Sequence, residues 1–209
     1  MIVYWTVRAL AKAILKIIFR LHVEGEENLP ADGPLIIAAN HKSFLDPVVV
    51  GVAMRRVIRF IAKEELFRYP GFSWLIRQLA AFPVRREGHD VAALRKAVSF
   101  LNSGEAVGVF VEGTRIRREG LGEIKPGIYL LARLTGAPVY IAAISGTWPL
   151  IDRNGRFPRI NRISIRFAKL DADPKSERFA KDKDAYLALL GKRLEEELAA
   201  LKTSSSHRG

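Results

Sequence analysis

The sequence predicts an α/β fold: a mostly parallel or mixed central sheet flanked by helices, with an N-terminal amphipathic helix suited to a membrane interface. Three observations carry that expectation. Residues 34–39, 106–111 and 139–144 are short runs, apolar throughout, of the kind that form strands covered on both faces. Residues 90–101 and 128–134 space their apolar positions as helices do. The two patterns alternate along the chain, as they do where crossover helices connect parallel strands.

Within residues 2–21, Arg8, Lys12, Lys16 and Arg20 recur every four positions, so a helix carries them as one basic stripe about 120° wide. Nearly every other position there is apolar, including Ile2, Trp5, Leu10, Ile14 and Ile17. A spanning helix needs about 20 predominantly apolar residues, and each central cation costs about 2.5–3.5 kcal/mol on insertion. No small-residue cleavage site follows, so the segment does not read as a signal peptide. Residues 1–21 are therefore expected to dock in the interface of an anionic phospholipid membrane, as a peripheral, monotopic anchor. The alternative is a core-packed helix with a solvated basic edge.

Residues 22–32 read as a polar connection to the strand at 34–39. Pro47 disfavours helical geometry at Asp46 and suits a first helical position, so a helix over 48–54 starts there with Asp46 near its N-cap. Residues 57–62 form a second strand that delivers Lys63, and a helix broken at Pro70-Gly71 fills 64–79. The stretch 80–84 leads to Arg85. Strand 106–111 runs into Glu112-Gly113-Thr114-Arg115, followed by a charged, glycine-bearing segment, 116–123, expected to be a mobile loop. Residues 162–170 alternate like a half-exposed edge strand whose Arg166 and Lys169 discourage further pairing. A helix over 185–201 completes a single domain, 22–201, and 202–209 are expected to be a disordered tail.

With 209 residues and 49% hydrophobic content the chain can bury a full core. It contains no cysteine, which excludes thiolate metal sites and a cysteine nucleophile, and four histidines make a multi-histidine metal site improbable. No metal is expected. Ser145 precedes Gly146, but Ala143 breaks the G-x-S-x-G elbow, so no serine nucleophile is read there. The formal charge of +12 points to an anionic partner, the alternative being a basic surface that serves solubility alone. Dispersed Lys and Arg without a recognition motif argue against nucleic acid.

Chemistry concentrates just past the strand at 34–39. A histidine can take a proton from a hydroxyl near neutral pH, and a carboxylate on its other nitrogen fixes the tautomer. On one continuous helix a five-residue offset would hold His41 and Asp46 about 140° apart, whereas a turn lets the carboxylate fold back onto the ring. The pair is a candidate base and orienter; otherwise it is a capped loop histidine and an ordinary helix cap. Lys63 and Arg85, at strand ends, are candidate anion contacts. Gly113 permits a positive φ or a close backbone approach, Thr114 offers a hydroxyl, and Arg115 presents a fork suited to phosphate oxygens.

These residues resemble the glycerolipid acyltransferase superfamily, most closely the 1-acylglycerol-3-phosphate acyltransferases. Asn40-His-Lys-Ser-Phe-Leu-Asp46 looks like the family's H-x4-D block. Lys63 with Glu65-Leu66, Pro70-Gly71 and Pro83-Val-Arg85 looks like the second block, and Phe110-Val-Glu-Gly-Thr-Arg115 like F-x-E-G-T-R. Pro138-Val-Tyr-Ile-Ala-Ala143 looks like the fourth. The resemblance implies that His41 is the general base, oriented by Asp46. It implies that Arg115, Lys63 and Arg85 bind the acceptor's phosphate, while Asn40, Ser43, Glu112, Gly113 and Thr114 shape the pocket. The acceptor would be lysophosphatidic acid, or glycerol-3-phosphate or another lysolipid. The donor would be acyl-CoA or an acyl carrier protein thioester, with no bound cofactor and a place at the cytoplasmic face of the membrane. A non-catalytic basic module that binds membrane or nucleic acid is the expectation from another class.

Overall fold

The computed structural model describes residues 2–68, 70–78, 80–84, 91–116, 118–148 and 161–206. The strands are β1 (His22–Glu24), β2 (Leu35–Ala39), β3 (Ile58–Lys63), β4 (Ala81–Val84), β5 (Ala106–Phe110), β6 (Val139–Ser145) and β7 (Ser164–Lys169). The helices are α1 (Ile2–Ile18), α2 (Asp46–Ala53), α3 (Pro70–Gln78), α4 (Val91–Asn102), α5 (Gly127–Thr135), α6 (Glu177–Ala180) and α7 (Lys183–Ser206).

The strands form one sheet in the order β1-β7-β6-β2-β5-β3-β4. Strands β2 to β6 run parallel, and β7 turns antiparallel to β6 with β1 alongside it. All five residues of β2 are buried, which is why that run carries no polar side chain. Leu35 and Ile37 point to one face, where they meet Leu15 of α1 and Val49 and Val50 of α2. Ile36 and Ala38 point to the other, against Leu101 of α4, Ile128 and Leu131 of α5, and Leu190 and Leu194 of α7. A side chain on Gly108, in β5, would run into the Phe60 ring, so glycine there lets two strands carry an aromatic between them.

Four parts of the fold differ from the sequence expectation. The connection at 22–32 contains β1, whose three residues are too few to show a period. Strand β7 is interior rather than an edge, because β1 pairs with its outer side. Its Arg166 bridges Glu24 of β1 at 3.0 Å and Glu197 of α7 at 2.8 Å, so the charge read as an edge guard is an ion-pair partner. The expected tail is helical through Ser206: Leu201 is fully buried and Thr203 returns its hydroxyl to the Ala199 carbonyl. Residues 207–209 lie outside the described ones.

The fourth difference is in α1. Tyr4 and Leu15 seat the helix on the domain, and Arg8, between them on the same face, turns inward. Its guanidinium donates to the carbonyls of Gly51 (3.0 Å), Val52 (3.4 Å) and Met54, where α2 ends with unpaired acceptors. The basic stripe therefore loses its first member to a helix cap. The outward face carries Ile2, Leu10, Ile14, Ile17 and Ile18, all exposed, flanked by exposed Lys16 and Arg20. Among the described residues no helix is long and apolar enough to cross a membrane.

Candidate active site

The site lies where the parallel strands β2 and β5 end, the crevice in which such sheets place ligands. β2 finishes with Asn40, 1% exposed, whose carboxamide donates to the Ile144 carbonyl (3.0 Å) and accepts from the Ile144 N–H (2.8 Å). The side chain thus continues the β2–β6 ladder beyond the last strand pair, Ala39 with Ala142, and fixes where the next residue emerges.

That residue is His41. The chain turns through residues 42–45, and α2 begins at Asp46, whose carboxylate folds back over the turn. Asp46 Oδ2 lies 2.8 Å from His41 Nδ1 and accepts the backbone N–H groups of Lys42 (2.6 Å) and Ser43 (2.7 Å). Asp46 is fully buried and performs no helix capping, so the expected N-cap role gives way to holding the turn. An ionised carboxylate only accepts, so Nδ1 carries the proton and Nε2 is the basic nitrogen. The imidazole stacks on Phe110, the last residue of β5, with centroids 4.0 Å apart at 18°; Phe110 in turn stacks on Phe60. Ring and carboxylate together set the imidazole's plane.

Glu112 joins the two loops. It is 1% exposed; Oε2 accepts the His41 N–H at 2.7 Å and Oε1 accepts the Gly122 N–H at 2.8 Å. The His41 carbonyl accepts from Ile116 N–H at 2.9 Å. Lys42 reaches the carbonyls of Arg118 (2.8 Å) and Gly120 with its ammonium, whose pKa is lowered from the usual lysine value by partial burial, with Glu112 opposing. The segment read as a mobile loop is thus tied to the histidine turn at Ile116, Arg118, Gly120 and Gly122. Gly113, at φ +67°, makes the bend that sends the chain there.

Of the other predicted residues, Ser43 is buried, and its hydroxyl accepts from Leu45 N–H at 3.2 Å, which shapes the turn. Thr114 is exposed. The Arg115 guanidinium lies over the Phe44 ring, 3.4 Å from its centroid. Lys63 ends β3, its backbone paired with Val84 of β4. Arg85 lies outside the described residues. Sequence reasoning passed over Lys42, Phe44 and Phe110. The first two fall at positions that the H-x4-D spacing leaves unspecified; Phe110 was readable as an aromatic at the end of a strand entering the glycine turn.

A histidine–carboxylate pair at the ends of parallel strands, with a guanidinium on the adjoining loop, is an arrangement that can take a proton from a bound hydroxyl beside an anionic group. A family model described as Acyltransferase matches residues 20–145. The chain belongs to the acyltransferase family. A Bacillus subtilis protein named 1-acyl-sn-glycerol-3-phosphate acyltransferase is 33% identical over 136 residues, 65% of this chain and 67% of that protein. The chloroplastic 1-acyl-sn-glycerol-3-phosphate acyltransferase LPAT1 of Arabidopsis thaliana is 32% identical over 132 residues, 62% of this chain but only 37% of that longer protein. The crystal structure of the LPA acyltransferase PlsC from Thermotoga maritima superposes with a TM-score of 0.71 at 32% identity, covering 94% of this chain and 81% of that one.

Proposed function

We propose that this acyltransferase moves a fatty acyl group from acyl-CoA or an acyl carrier protein thioester to the free hydroxyl of lysophosphatidic acid, giving phosphatidic acid. The observation that carries the reading is the His41–Asp46 pair, 2.8 Å apart, which commits Nδ1 to the carboxylate and leaves Nε2 as base. Nε2 takes the proton of the acceptor hydroxyl as that oxygen attacks the thioester carbonyl. The tetrahedral adduct collapses, the C–S bond breaks, and the imidazolium returns the proton to the departing thiolate. One ester forms and one thiol is released. Direct transfer needs no acyl-enzyme, in keeping with a chain that has no cysteine and no serine elbow. Arg115, with Lys63 and Arg85 as further candidates, binds the acceptor's phosphate. The exposed apolar face of α1 beds into the cytoplasmic surface of an anionic bilayer, where the acceptor resides and soluble thioesters arrive.

The test is thiol release by purified protein with lysophosphatidic acid vesicles and each thioester, run beside His41→Ala, with lipid analysis of the product. A positioned base contributes about 10²- to 10⁴-fold, so the variant should lose at least that while remaining folded, as its circular dichroism will report. Turnover near the parental rate in His41→Ala would remove His41 from the chemistry. Activity only with glycerol-3-phosphate or another lysolipid would reassign the acceptor.

A further inference from the structure

The residues around the dyad are almost wholly buried, Asp46 at 0%, Glu112 and Asn40 at 1% and Ser43 at 8%, yet Phe44 in the midst of the same turn is 67% exposed. Its backbone is not loose. Asp46 Oδ2 holds the N–H groups of Lys42 and Ser43 on one side, and the Ser43 hydroxyl holds the Leu45 N–H on the other. The turn therefore presents a phenyl ring outward from a fixed base. Over that ring lies the Arg115 guanidinium, its central carbon 3.4 Å from the centroid.

We propose that Phe44 is a positioning residue, an aromatic platform that holds the Arg115 guanidinium in register with His41 for a phosphate-bearing acceptor. This rests on the reading of Arg115 as a phosphate contact. A guanidinium stacked on a ring uses its face, while its N–H donors, which lie in its plane, still serve phosphate oxygens. The two partners come from different loops, Phe44 from the turn after β2 and Arg115 from the turn after β5. Stacking thus links the phosphate contact directly to the turn that carries the base. In lysophosphatidic acid the free hydroxyl and the phosphate ester sit on neighbouring carbons, so base and guanidinium have little latitude in their separation.

The experiment is a double-mutant cycle, Phe44→Leu and Arg115→Ala singly and together, with Phe44→Trp as the conservative variant, read as KM for lysophosphatidic acid and kcat at saturating thioester. Leucine keeps the apolar bulk and removes the π face; tryptophan keeps the face. Phe44→Leu should raise the acceptor KM about three- to tenfold, as expected for losing a partly exposed cation–π contact, with kcat and donor KM within about twofold of the parent. Phe44→Trp should restore it, competition by glycerol-3-phosphate should weaken in parallel, and Phe44→Leu should add nothing in the Arg115→Ala background. Equal effects in both backgrounds, or failure of tryptophan to rescue, would overturn the platform. So would loss of vesicle binding by Phe44→Leu, since the ring would then be serving the lipid surface. If Arg115→Ala itself leaves the acceptor KM unchanged, the phosphate-contact reading falls first, and the platform with it.

Discussion

Glu112→Gln is the most demanding test of how the site is held together. The carboxylate sits in the core with each oxygen accepting one backbone N–H, from His41 at 2.7 Å and from Gly122 at 2.8 Å. Glutamine is isosteric but has one oxygen, so whichever N–H it serves, its own NH₂ confronts the other. Hydrogen bonds to a charged acceptor are worth about 1.5–3 kcal/mol each, and a neutral one about 0.5–1.5. Losing one bond and weakening the other, offset in part by no longer burying a charge, amounts to about 2–3 kcal/mol. At about 2–4 °C per kcal/mol for a chain of this size, the melting temperature should fall by about 4–12 °C. The kinetic effect should be separate and larger in relative terms, because the N–H set adrift belongs either to the base or to the loop carrying Arg115. Misplacement by about 1 Å can cost about 100-fold in rate. Differential scanning calorimetry and single-turnover acyl transfer, on the same preparation, read the two. A variant that melts within about 1 °C of the parent and turns over normally would show that Glu112 does not bridge the loops.

Two other variants probe regions away from His41. Tyr186 is fully buried, its hydroxyl has no hydrogen-bond partner among the described residues, and burial, with Asp173 adding to it, pushes its pKa up to about 12. The folded state therefore holds this proton more tightly than the unfolded chain, whose phenol titrates near 10. Its contribution to stability is intact below about pH 10 and declines from there towards 12. Tyr186→Phe should melt at or above the parental temperature at pH 7 and show a shallower alkaline decline; steeper loss in the variant would contradict this. Ile14→Glu with Ile17→Glu places carboxylates on the outward face of α1, where both side chains are exposed. The pair should leave the melting temperature unchanged and weaken sedimentation with anionic vesicles at least tenfold, by lost apolar burial and added repulsion. Unimpaired sedimentation would move the docking surface elsewhere.

The elements most legible in the sequence were those whose surroundings leave a local trace. β2, β5 and β6 are flanked on both faces, so their runs lack charged residues, and Pro47 marks where α2 starts. The H-x4-D spacing was readable as a turn because one continuous helix would separate the two side chains. Partners distant in sequence left no such trace. Nothing near 22–24 announces a strand whose mate lies at 164–166, and without β1 the charged residues of β7 resembled an edge. Arg8 obeyed the period of the basic stripe but is turned inward by the carbonyls that end α2, a tertiary demand no helical wheel contains. Lys42 and Phe44 act through residues beyond position 110, which the spacing of their own motif does not encode.

The pairing of β1 with β7 also bears on the order in which the molecule can be assembled. Glu24 and Arg166, joined across that pair, are 142 positions apart, and Ile163 donates to the Phe19 carbonyl where α1 ends. Until residues 163–166 have been synthesised, α1 has its seat on α2 and β2 but nothing to hold its C-terminal end, and the strand that follows has no neighbour. Closing so long a loop is slow relative to local helix formation. A nascent chain therefore presents a formed, apolar-faced helix well before its C-terminal seat exists. If α1 docks on a bilayer as proposed above, membrane capture of the growing chain can precede completion of the sheet.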